Sequence, residues 1–157
     1  MSQFLVALST LLHNLATVVF IGYYIVLALI CMPAILESPE NARGALITAI
    51  SRHSRTWLYA ALVLFALSGA YLTLVDSNYL GLANFGNAWG ILMLVKHLLV
   101  LGMVAVGFWF NSVLRVGPLA SSSTGAAQAM AGFRTYVNWM ALIGVAVLLL
   151  TAIAQIQ

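Results

Sequence analysis

The chain has 157 residues, of which 64% are hydrophobic and 6% charged, with a mean hydropathy of +1.08. Soluble domains are charged at about a quarter of their positions, so this composition excludes one and points to an integral membrane protein. Six Lys/Arg against three Asp/Glu give a formal charge of +3, with no basic run and no aromatic–basic interleaving, and nucleic-acid binding is not expected.

The first apolar run covers about residues 4–32 and is expected to stop at Pro33, which a helix interior tolerates poorly. It exceeds the roughly 20 residues a bilayer needs, which predicts tilt or projection from one face. No basic n-region or small-residue cleavage site accompanies it, so it reads as a retained span rather than a signal peptide. Cys31, the single cysteine, reads as a small packed hydrophobe.

Ser38-Pro39-Glu40 resembles a helix start, with Ser as N-cap, Pro at N1 and acid in the first turn. Beyond it only Gly44 interrupts a run of helix formers, so the second helix is expected to begin near Pro39, project, and enter the membrane at Trp57. Its span, about 57–75, ends at Asp76-Ser77-Asn78. The third run, about 88–114, carries the polar pair Lys96-His97 and ends near Arg115 and Gly117-Pro118. A small, Gly/Ser-rich connector over 115–135 reads as flexible, and the fourth run covers about 136–156. The expected fold is all-α: one domain, an integral membrane four-helix up-down bundle.

Arg43, Arg52 and Arg55 precede the second span, while Arg115 and Arg134 lie in the connector before the fourth. The 76–87 loop and both terminal segments hold no Lys or Arg. The positive-inside rule then puts both termini outside, in a multi-pass protein of a prokaryotic inner membrane.

An ionisable side chain in hydrocarbon is costly and so marks a functional site. His13 lies nine residues after Phe4, and His97 nine after Ala88, on helices that run in the same direction. At about 1.5 Å per residue both imidazoles sit roughly 13 Å below the outer surface. Two neutral imidazoles at one depth suit a b-type haem held without covalent attachment. His13 and His97 are the expected metal ligands. Asn14 and Lys96 are expected beside the cofactor, Asn14 near the His13 ring and Lys96 toward a propionate or an anionic substrate group. The plain alternative is that Asn14 merely hydrogen-bonds His13 and Lys96 snorkels.

Copper is the rival ligand. Met93 and His97 are four apart on one helix face, and His13 completes a soft site suited to Cu(I). His53, among Ser51, Arg52, Ser54 and Arg55, reads as an interfacial residue, with Met32 near its level as a weak partner. A CxxCH motif, a P-loop, GxGxxG, HExxH and GxSxG are all absent, and the three acidic residues near span ends offer no hydrolytic constellation.

Three stretches are similar to the CopD-like and HemJ-like membrane proteins. They are His13 followed by FIGYY and Pro33, then SRHSRTWLYAALVLFALSGAYLTL with its late Gly69, then VKHLLVLGMVAVGFWFNSVLR, covering roughly residues 10–115. The resemblance implies a helical inner-membrane protein. It associates the HemJ-like branch with b-type haem and porphyrinogen oxidation, the early His and the Lys corresponding to His13 and Lys96. It associates the CopD-like branch with copper uptake or resistance. This chain adds His97, lacks the arginine after the aromatic–Gly turn and differs in its fourth span, which moves the expectation from porphyrinogen oxidation to haem binding.

The function read from the sequence is therefore electron transfer through a bis-histidine haem b near the outer face. The partners expected are a quinone or a periplasmic redox protein, other subunits of a membrane complex, or further copies of the chain. Copper handling is one alternative. A structural accessory subunit, in which the histidines are incidental, is another.

Overall fold

The computed structural model describes residues 3–79, 81, 86–110 and 125–156. Four helices make up most of these, all long and apolar enough to cross a membrane: α1 Gln3–Glu37, α2 Glu40–Val75, α3 Ala88–Trp109 and α4 Ala126–Ala154. No strand occurs among the described residues, and the expected all-α four-helix bundle is what forms.

The expected stop at Pro33 does not occur. Proline lacks the N–H of the helical ladder, and its ring crowds the carbonyl four residues back. Here the preceding turn widens into a π turn, Leu27–Cys31, closed by the Met32 N–H on the Leu27 carbonyl. The helix then resumes as Met32–Glu37. Cys31 sits half-buried in the widened turn.

α1 ends at Ser38, where the backbone becomes extended. The Ser38 hydroxyl turns back to the Ala34 carbonyl at 2.8 Å instead of capping the next helix. Pro39 occupies the cap position of α2 and adds no side-chain hydrogen bond. Arg43 ties the corner, donating from Nε to the Ser38 carbonyl at 3.1 Å and from Nη2 to the Leu36 carbonyl at 2.8 Å. It thereby satisfies acceptors that a helix end leaves open. α2 thus starts beside Pro39, as the spacing predicts, but without the expected serine cap, while Arg43 satisfies the carbonyls that end α1.

At the other end of the bundle Asp76 accepts the Asn78 N–H at 2.9 Å, and the Asn87 amide donates to the Asn78 carbonyl at 2.9 Å. Asn87 Oδ1 also accepts the Gly90 N–H at 2.8 Å, which caps α3. The connector expected over 115–135 is helical from Ala126 onward, entered through Gly125 at φ +86°, a left-handed value that suits glycine. Residues 111–124, which include the expected end of the third span, lie outside the described residues.

α2 packs along α1, α1 along α4, and α4 along α3, whereas α2 and α3 are not extensively packed on each other. Lipid tails are as apolar as leucine, so close steric fit has to hold such helices together. Ile21, Met32, Met103, Val137 and Met140 fill the tightest part of the core. That core belongs to the arginine-bearing half of the bundle. α1 has no buried residue before Ala16, α2 none after Ser68, and α3 none between Trp89 and Val100.

Candidate functional site

A close contact fixes the register of the site. Tyr24 of α1 places its hydroxyl against Gly107 of α3, 2.9 Å from where a Cβ would stand. Counting back eleven residues on each helix reaches His13 and Lys96, with His97 adjacent. His13 and Lys96 therefore stand the same number of residues from the Tyr24–Gly107 contact, in the half of the bundle where α1 and α3 bury few side chains.

His13 is half-buried and lies in a notch of α2. Its ring stacks on Phe65 with centroids 4.4 Å apart and planes at 29°, and Gly69 leaves the space its Cε1 occupies. Nδ1 stands 3.1 Å from Oγ of Ser68, a buried hydroxyl. Ser68 donates its own proton to the Leu64 carbonyl at 2.5 Å, so its oxygen accepts from the ring. Nδ1 then carries the proton and Nε2 keeps the lone pair.

Asn14 is not the partner of His13; its side chain is exposed on the adjacent face of α1. Ser68 and Phe65, from a helix more than fifty residues away in sequence, take that role. The signal for them is present as Ser68-Gly69, since small residues within a span mark close approach.

His97 is exposed on α3, with Nδ1 2.6 Å from the Met93 carbonyl. A carbonyl only accepts, so this nitrogen is again the protonated one and Nε2 again keeps its lone pair. Lys96 and Met93 are half-buried. The His13 ring lies against α2, whereas His97 is exposed on α3. His53 is exposed and spends its Nδ1 on the Ala49 carbonyl at 2.9 Å. No cluster of three or more His, Cys, Asp or Glu side chains occurs among the described residues.

Compared with protein-family models, with curated proteins and with solved structures, the chain matches none.

Proposed function

We propose that this chain is a b-type haem protein of the membrane, in which His13 and His97 would hold the group. Its role is electron transfer, alone or as a redox subunit of a larger complex. One observation supports the reading: two imidazoles from different spans, at matched positions along their helices in the sequence, each face a neighbouring oxygen with Nδ1. Ligating histidines are held in this way, with the second nitrogen donating to a carbonyl or similar acceptor so that the first is offered to metal.

The residues around the pair fit the group. Two neutral nitrogen donors suit haem iron, and α1 and α3 bury few side chains in this half of the bundle. An exposed imidazole in hydrocarbon is costly, and ligation of Nε2 offsets that cost. Haem supplies a one-electron change between ferric and ferrous iron. The chain's own part is to hold each ring, His13 through Ser68 and His97 through Met93, and to provide the Lys96 ammonium for a carboxylate at that depth. The described arginines crowd the opposite end, so the positive-inside rule assigns His13, His97 and both termini to the outer face of an inner membrane, within reach of a quinone or a periplasmic donor.

Absorption spectra of the detergent-purified protein, oxidised and dithionite-reduced, test the proposal. A Soret band and a sharp alpha band are expected, and His13→Ala and His97→Ala should each abolish the low-spin form. Stoichiometric copper without iron would overturn it in favour of a copper protein using Met93, His97 and His13. Neither metal would leave an accessory subunit.

A further inference from the structure

The arginine-bearing end of the bundle holds a cleft of about 460 Å³ between α4, the last turn of α1 and the first turns of α2. Its polar lining is Arg43, Arg134, Thr135 and Asn138. Leu36, Ala127, Met130 and Ala131 supply the apolar part. Residues 127, 131, 134 and 138 fall three or four apart, so one stripe of α4 forms the long wall.

Two cations share this space. Arg43 is held rigidly, with Nε and Nη2 anchored on the carbonyls that end α1. Its Nη1 meets Glu40 at 3.8 Å, and that carboxylate is 91% exposed, so the pairing neutralises little. Arg134 is exposed on α4, and the Arg43–Glu40 contact is the one ion pair among the described residues. Planar guanidinium groups match phosphate oxygens in pairs, and Thr135 and Asn138 add neutral donors. The charge asks for an oxyanion.

Depth and lining select its source. Asn138 stands two residues beyond Tyr136, where the last apolar run begins, and Trp139 beside it is 60% exposed, as suits an interfacial aromatic. The cleft therefore runs from the edge of the hydrocarbon into the headgroup layer, largely apolar with two guanidinium groups in its lining. We propose that it binds one anionic phospholipid, the phosphodiester lying between Arg43 and Arg134 and the glycerol end against Met130 and Leu36. This site is at the opposite end from His13 and His97 and stands whether or not haem is bound there.

Native mass spectrometry of the protein released from nanodiscs of mixed phosphatidylcholine and phosphatidylglycerol reads the preference directly. One retained phosphatidylglycerol per chain is expected. Arg134→Gln should lower the retained ratio by about five-fold, the effect of one basic residue at a membrane surface. Arg134→Lys keeps the charge and loses the paired fork, so it should fall between the two and serves if the glutamine variant does not fold. Arg55→Gln, at the same end outside the cleft, should leave the ratio unchanged. An equal loss in Arg55→Gln would overturn the site in favour of diffuse surface charge. Arg134-dependent binding of inorganic phosphate, without preference for phosphatidylglycerol, would overturn the lipid as source.

Discussion

One hydroxyl fixes the orientation of an imidazole two helices' length away in sequence: Ser68 commits its proton to Leu64 at 2.5 Å and accepts from His13 Nδ1 at 3.1 Å. Hydrogen bonds between membrane helices contribute about 0.6 kcal/mol on average and up to about 1.7. Ser68→Ala should therefore cost that much in a denaturant titration in detergent. In the haem reading the same variant weakens retention of the group by about ten-fold or more, because the ring loses the acceptor that sets its tautomer. Gly69→Ala acts on the same ring by sterics, since the new Cβ would stand 3.1 Å from Cε1. An unchanged fold and unchanged haem retention in both variants would remove Ser68 and Gly69 from the site.

His53→Ala is the matching control. Its ring is exposed, reaches only the Ala49 carbonyl, and lies at the arginine-bearing end. The reduced-minus-oxidised spectrum of this variant should equal that of the parent. A lost or shifted alpha band would relocate the ligand to the other end of the bundle.

Two glycines of the core have no room for a methyl group. At Gly144 a Cβ would meet Ile21 Cγ2 at 2.8 Å, and Ile21 is 2% exposed with nowhere to retreat. Gly144→Ala should destabilise by about 1–3 kcal/mol, the usual cost of overpacking. Gly22, Gly102 and Gly132 meet nothing within 4 Å. Alanine at those positions should be neutral or stabilising by up to about 1 kcal/mol through helix propensity. Thermal or denaturant unfolding of the four variants side by side measures the contrast.

The span positions are legible in the sequence because hydrocarbon demands long uncharged runs, and four such runs are all the chain contains. The α2 start beside Pro39 is legible for a local reason, the run of helix formers after it. Pro33 misleads because the rule that proline ends a helix assumes a regular ladder, and the π turn at Leu27–Cys31 changes that ladder. Counting residues along parallel spans gives His13 and His97 matched sequence positions. It does not give which way each ring points. In water an apolar stripe marks the inward face, but in lipid the outward face is equally apolar. His97 on the open side of α3, and Asn14 turned away from His13, are rotations about a helix axis that no hydropathy pattern encodes. The partnership of His13 with Ser68 is long-range and needs the packing of α2 on α1.

Arg43 joins two helices through backbone carbonyls and not through charge. Arg43→Ala should leave the spans intact while the corner frays, because the Leu36 and Ser38 carbonyls lose their donors. Hydrogen exchange should accelerate at residues 35–42 and nowhere in the core of α4. A loss of global stability above about 3 kcal/mol would instead make the arginine part of the cooperative core, more than a hydrogen bond to a charged group ordinarily contributes.

Tyr24 and Gly107 offer the sharpest test of the register on which the histidine argument stands. Tyr24 is 3% exposed, and its hydroxyl accepts from Tyr136 at 3.2 Å, so it is pinned where a Cβ on Gly107 would approach to 2.9 Å. Gly107→Ala alone should cost about 1–3 kcal/mol. Tyr24→Phe removes the obstructing oxygen. The next atoms are then the Tyr136 hydroxyl at 3.5 Å and Met140 Cε at 3.8 Å, both ordinary contacts. In that background Gly107→Ala should cost far less, giving a coupling of about 0.5–3 kcal/mol in the double-mutant cycle, the range for residues in direct contact. Strict additivity would mean that Tyr24 and Gly107 do not touch. The offset between α1 and α3 would then be wrong, and the matched positions of His13 and His97 would no longer support the haem reading.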